Sequence, residues 1–180
     1  MSSVVISGDT SGAITLAAPS VSGTNTATLP AATGTVMVSG NQPAFSAYFA
    51  GTQTITVGAF TKIQLNSEEF DTANAFDSST NYRFTPLVAG YYQINGQINA
   101  TSTLTLTRIL PAIYKNGSAY KYGTDITATD IRSNVSSLVY LNGSTDYIEL
   151  YVLLSGTGTL SLNSGGITDN YLNGSMVRTA

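Results

Sequence analysis

The sequence predicts an all-β protein of the sandwich or jelly-roll type, and three observations carry that expectation. Charged residues make up only 9% of the chain, against about 25% in typical soluble domains, and Ser, Thr, Asn and Gly supply the polarity instead. β-Branched Thr, Val and Ile fit a pleated surface, whereas Gly and Asn disfavour helices. Apolar and polar residues alternate with a period of two through short segments, which marks strands with two unlike faces. Asn-Gly dipeptides recur between such segments, and they suit the positive φ angles of tight hairpin turns.

Residues 1–42 contain one acid, Asp9, and no basic or aromatic residue. Short β pieces are expected at Val4 to Ile6, Ala13 to Leu16, Ala27 to Leu29 and Thr35 to Val38, separated by Gly, Pro and Ser. A segment with so few bulky groups buries too little area alone to offset its chain entropy. It is therefore either a flexible linker or an arm ordered by another surface. In the second reading Val4, Ile6, Ile14, Leu16, Leu29 and Val36 are the docking residues.

From Pro43 onward all the Tyr and Phe residues appear. "AFSAYFAG" (44–51) gives a first strand and "TKIQLNSEEFDT" (61–72) a second. "YRFTPL" and "YYQINGQINATS" flank the Ala89-Gly90 turn signal. In the latter run Tyr92, Ile94, Gly96, Ile98 and Ala100 share one face, while Tyr91, Gln93, Asn95, Gln97 and Asn99 share the other. An ordinary wet face carries Lys and Glu. A neutral amide face is compatible with burial against a neighbour, because no ion is stranded in low dielectric, and equally with an uncharged surface open to water.

Asn116-Gly117 and Asn142-Gly143 are each expected to close a hairpin, and "TLSL" (159–162) and "YLNGSMVR" (171–178) finish the series. Between Asp146 and Leu154, Ile148, Leu150, Val152 and Leu154 read as the interior face. The opposite row of Tyr147, Glu149, Tyr151 and Leu153 is either a subunit contact, since aromatic rings bring area and a polar handle, or a surface stripe under a loop.

The order of these signals resembles the C1q/tumour-necrosis-factor-like jelly roll over residues 43–180. The block Phe84-Thr85-Pro86 followed by Ala89-Gly90-Tyr91-Tyr92 is similar to that family's strand, proline-bearing corner and Gly-Tyr strand start. Residues 43–180 are thus expected to form a C1q-like head and residues 1–42 a β-rich arm. The resemblance implies a homotrimer, and Tyr91, Gln93, Asn95, Tyr147, Tyr151 and Leu153 are its candidate interface residues. No collagen-like Gly-X-Y stem precedes the head, and the stretch "TLAAPSVSGTNTATLPAATGTVM" is instead similar to bacteriophage virion proteins.

Enzymatic chemistry has little to work with. The chain has no His and no Cys, which removes the commonest general base, the usual zinc ligands and the thiol nucleophile. The acids Glu68, Glu69, Asp71 and Asp77 cluster in sequence; they read as a solvated strand end rather than as Ca²⁺ ligands or a glycosidase pair. No cofactor is expected. Asn116-Gly117-Ser118, Asn142-Gly143-Ser144 and Asn173-Gly174-Ser175 match the glycosylation acceptor pattern but are expected to be turns. Lys115, Lys121, Arg108 and Arg132 lie near the central hairpins, as contacts for an acidic partner or as ordinary solubilising charge.

Seven scattered basic residues and a net charge of −3 leave no footprint for nucleic acid. No apolar run is long enough for a membrane helix, and no secretory signal is visible at the start. The expected function is a homotrimeric bacteriophage virion structural protein, made in the bacterial host cytoplasm and placed on the outer surface of the particle. The favoured role is a capsid decoration or cement protein bound to the major capsid protein or another virion protein. The alternative is a short tail-fibre or receptor-binding knob for a host surface glycan or protein.

Overall fold

Period-two alternation becomes strand through most of the chain. The computed structural model describes residues 3–21, 23–28, 31, 36, 38, 42–102, 105–127, 132–163 and 166–180. The strands are β1 (Ser3–Ser7), β2 (Ala13–Ala17), β3 (Ala44–Tyr48), β4 (Thr52–Ile55), β5 (Phe60–Lys62), β6 (Ser67–Asp71), β7 (Phe76–Asp77), β8 (Arg83–Phe84), β9 (Gly90–Ser102), β10 (Thr105–Lys115), β11 (Ser118–Tyr122), β12 (Arg132–Leu141), β13 (Ile148–Thr157), β14 (Leu160–Asn163) and β15 (Tyr171–Thr179). The chain divides into two compact units, Met1–Thr35 and Val36–Ala180.

The first unit holds an antiparallel hairpin of β1 and β2, with Val4 opposite Leu16, Val5 opposite Thr15 and Ile6 opposite Ile14. Directly opposed residues point to the same face. The described side chains of both strands are exposed. Strand was also expected at residues 27–29 and 35–38. The described residues among them, Ala27, Thr28, Val36 and Val38, lie outside strands. Leu29 lies outside the described residues.

The second unit is a sandwich of two antiparallel sheets. One, of six strands, runs β11-β10-β13-β8-β7, with β5 also on β13. The other, of seven, runs β4-β14-β9-β15-β3-β6, with β12 on the remaining edge of β9. Their inner faces supply the core: Tyr92, Ile94, Ile98 and Ala100 from β9 meet Ile148, Leu150, Val152 and Leu154 from β13, and all eight are fully buried. At one end Phe45 stacks on Phe84 with ring centroids 4.1 Å apart, and Phe84 meets Tyr92 edge-on at 5.6 Å. The Phe84 and Tyr92 of the expected signature are therefore core residues that tie the sheets together.

Three local expectations are corrected. The segment 61–72 is not one strand: β5 joins the six-stranded sheet and β6 the seven-stranded one. The chain crosses between them at Ile63 and Leu65, both fully buried.

Asn116-Gly117 does close the β10–β11 hairpin, with φ of 54° and 76°. Asn142-Gly143 closes none, because β12 pairs with β9 and β13 with β10, on opposite sheets. A two-residue turn cannot span two layers packed about 10 Å apart. The longer loop is instead built on the Asn142 side chain, whose Oδ1 accepts from the backbone N–H of Ser144, Thr145 and Asp146 at 3.0, 2.9 and 2.9 Å.

Asn173-Gly174 is not a turn but the middle of β15. A Cβ at Gly174 would lie 2.6 Å from Ile94 Cδ1 and 2.8 Å from the Gln93 carbonyl oxygen. Glycine is present there for close approach of strands, not for a bend.

Candidate functional site

The alternation of β9 turns its amide row outward. Gln93, Asn95 and Gln97 are half-buried, between β12 on one side and β15 on the other. Gln93 Nε2 donates to Ser136 Oγ at 2.9 Å and to Asn95 Oδ1 at 3.2 Å. Ser136 Oγ donates to Asn95 Oδ1 at 2.8 Å, and Asn95 Nδ2 donates to Asn173 Oδ1 at 3.2 Å. Gln97 Nε2 reaches the carbonyls of Thr168 and Asp169 at 3.0 and 3.1 Å. A cross-strand ladder thus ties three strands together without a charge, and its amides already have partners when water leaves.

Around this ladder the face stays neutral. On β12, β9, β15 and β3 the outward side chains between Arg132 at one end and Arg178 at the other are uncharged, mostly Ser, Asn, Gln, Tyr, Leu and Ala, with Val177 also exposed. Several large apolar groups are open to solvent: Leu138 is 51% exposed, Phe70 47%, Tyr140 41% and Tyr91 38%. Tyr91 and Tyr140 meet with centroids 5.5 Å apart. On the other side of the sheet the small residues Ala44, Ser46 and Ser175, with Asn173, floor a recess of about 250 Å³ walled by Phe70 and Glu69. One half of the face projects and the other is hollow.

The six expected interface residues are not brought together. Tyr91, Gln93 and Asn95 lie on this face, whereas Tyr147, Tyr151 and Leu153 belong to the outward side of the opposite sheet. There Tyr151 stacks on Tyr114 at 3.8 Å, Phe60 on Tyr122 at 5.5 Å, and the Arg83 guanidinium covers Tyr147 at 4.2 Å. Glu149, from the same row, is buried and paired with Lys62 at 2.6 Å.

Leu138, Tyr140 and Phe70 were not singled out by the sequence. In β12 the inward Val135, Val139 and Leu141 alternate with an outward row that also contains Leu138 and Tyr140. Both faces of β12 mix polar with apolar residues, Ser133 and Ser137 on one and Ser136 beside Leu138 on the other, so a period of two does not separate them.

Three of the four clustered acids are occupied locally, and the fourth, Glu69, is exposed beside the recess. Asp71 accepts from the backbone N–H of Ala73, Ala75 and Phe76. Asp77 accepts from Thr80, Asn81 and Ser79, which hold its carboxyl well below the usual carboxylate range. Glu68 takes the Ser78 hydroxyl at 2.6 Å. Among the described residues no group of three or more His, Cys, Asp or Glu is placed to hold a metal. Three of the basic residues are paired as well: Arg108 with Asp125, Lys115 with Asp146 and Arg132 with Asp169, at 2.7, 2.8 and 3.0 Å.

The globular domain of zebrafish complement 1qA superposes with a TM-score of 0.55 and 15% identity, covering 78% of this chain and all of its own. The fold is the C1q/TNF-like jelly roll. Murine APRIL aligns with a TM-score of 0.56 and 8% identity over 76% of the chain and 100% of APRIL. The PRD1 vertex protein P5 aligns with a TM-score of 0.53 and 18% identity over 77% of the chain and 97% of that protein. No family model matches the sequence, and no curated protein is significantly similar to it.

Proposed function

We propose that the chain is a homotrimeric structural protein of a bacteriophage particle, a capsid decoration or cement protein on the outer surface, bound there to the major capsid protein or another virion protein. The observation that carries this reading is the outward face of β12, β9, β15 and β3, neutral between Arg132 and Arg178. Exposed Leu138 and Tyr140 on one half and the recess beside Phe70 on the other suit a heterologous contact, in which the projecting half of one copy meets the hollow half of the next. Contacts of that kind close into a ring under a rotation. Tyr91, Gln93 and Asn95 then sit within the seam.

Placement on a particle is supported by likeness in fold to a vertex protein and by the arm, residues 1–42, whose β1–β2 hairpin has every described side chain exposed. The arm is the segment that ties the trimer to the shell. The contribution to the particle is mechanical, added buried area between neighbours, and no catalytic role is proposed. Its assembly belongs to the bacterial host cytoplasm.

A second reading, a receptor-binding knob for a host glycan or protein, is favoured by the aromatic group of Phe60, Tyr114, Tyr122 and Tyr151 on the opposite sheet, where Tyr122 is 61% exposed. Deleting residues 1–42 separates the two. A cement protein so shortened stays trimeric and loses binding to particles. A receptor knob keeps its binding to host cells, and that result would overturn the cement reading.

A further inference from the structure

The β1–β2 hairpin presents two unlike faces. Val4, Leu16, Ile6 and Ile14 form two directly opposed pairs on one of them, and these four residues are between 56% and 69% exposed. The other face carries Val5, Ser7, Ala13, Thr15 and Ala17, mostly small or polar. A two-stranded hairpin alone is marginal in water and needs further strands or a covered apolar face to persist. Neither strand holds a Lys, a Pro or an inward charge of the kind that protects free edges.

We propose that the Val4, Ile6, Ile14 and Leu16 face is covered by the same face of the hairpins of sister copies, three hairpins enclosing an apolar centre. Charge favours this occupant. The only ionisable side chain in residues 1–42 is Asp9, which lies in the turn closed by Gly8 N–H donating to Gly12 O at 3.0 Å, so identical faces meet without like-charge repulsion. Tethering favours it as well. A head held as a trimer delivers three hairpins at an effective concentration of order millimolar. The outer surface of the resulting tip is the Val5, Ser7, Ala13, Thr15 and Ala17 face, and this small, neutral surface is what a particle would meet.

The inference rests on the trimer reading of the head, and one experiment separates their failures. The chain has no Cys, so single thiols can be placed cleanly in the full-length protein as Ile14→Cys and Leu16→Cys on the apolar face and Thr15→Cys on the other. Each is treated with a short bismaleimide at several dilutions, with the mass in solution taken by light scattering. The expected result is a trimer in which Ile14→Cys and Leu16→Cys give covalent dimers several-fold more than Thr15→Cys, independent of dilution. A trimer with equal or absent cross-linking at all three positions overturns the hairpin assembly and leaves the head reading intact. Thiols at 14 and 16 that are shielded yet never cross-linked point to a different occupant and also overturn it. A monomer removes both.

Discussion

Asn95 and Asn173 face each other across β9 and β15, the amide of the first donating to the carbonyl oxygen of the second at 3.2 Å. With Gln93 and Ser136 they form a polar ladder that needs no ion and little water. A face satisfied in this way can be covered by protein at low desolvation cost, because few polar groups are left orphaned. This separates it from an ordinary wet sheet face lined with Lys and Glu.

Leu138→Lys should therefore dissociate the trimer. The side chain is 51% exposed in the single chain, so the fold should change stability by no more than about 0.5 kcal/mol, whereas burying an unpaired ammonium in a seam costs several kcal/mol. Sedimentation velocity should show the mass falling to one chain with an unchanged far-ultraviolet circular dichroism spectrum. A variant that remains trimeric would remove Leu138 from the seam.

Gly174→Ala should destabilise the head by about 1–3 kcal/mol, the usual range for overpacking a tight site. The added methyl meets both a side chain and the backbone of β9, at 2.6 and 2.8 Å, and β3 confines it from the other side. Urea unfolding should give a lower midpoint with an unchanged slope. A midpoint equal to that of the parent would mean that the strands separate without strain.

Acid should weaken the head through Asp77. Its carboxylate accepts from Thr80, Asn81 and Ser79, so the folded chain resists protonation far below the ordinary value of 3.8. The unfolded chain takes up its proton at that ordinary value. The stabilisation is thus complete above it and is lost as the pH falls towards the folded value. Asp77→Asn should be less stable at neutral pH and should show a shallower loss below pH ~4. Thermal melts across that range would check this, and identical acid limbs would exclude Asp77 as a contributor.

At the alkaline end Tyr92 is the group to watch. Burial pushes its phenol up to about 12 from 10.0, and its hydroxyl donates to the Val88 carbonyl at 2.7 Å. The neutral phenol stabilises the fold fully below pH 10, and that contribution disappears as the pH rises through 12. Tyr92→Phe should cost about 1 kcal/mol at neutral pH for the lost hydrogen bond and should flatten the alkaline limb. An unchanged alkaline limb would show that another group governs it.

Much of the head was legible in the sequence because its strands have unlike faces. The alternation from Tyr91 to Ala100 placed each inward residue correctly, as did that from Ile148 to Leu154, although the outward rows also hold two buried side chains, Asn99 and the Lys62-paired Glu149. What escaped was decided by tertiary context. Asn142-Gly143 and Asn116-Gly117 are the same dipeptide, yet only the second closes a hairpin, because nothing local tells a chain that its next strand lies in the other sheet. Asn173-Gly174 carries the same letters again inside a strand, where Gly is required by Ile94 and Phe45 beside it. Tyr147, Tyr151 and Leu153 read as a contact row, but sequence could not show that they back onto the sheet opposite Tyr91, Gln93 and Asn95. Leu138 and Tyr140 were hidden by a strand whose two faces both mix polar and apolar residues.

The central claim is that the outward face of β12, β9, β15 and β3 in the seven-stranded sheet is a seam between copies. Multi-angle light scattering of the full-length protein, diluted through the micromolar range, tests it most directly. The account predicts a mass of three chains that holds on dilution. A single-chain mass at every concentration would contradict it.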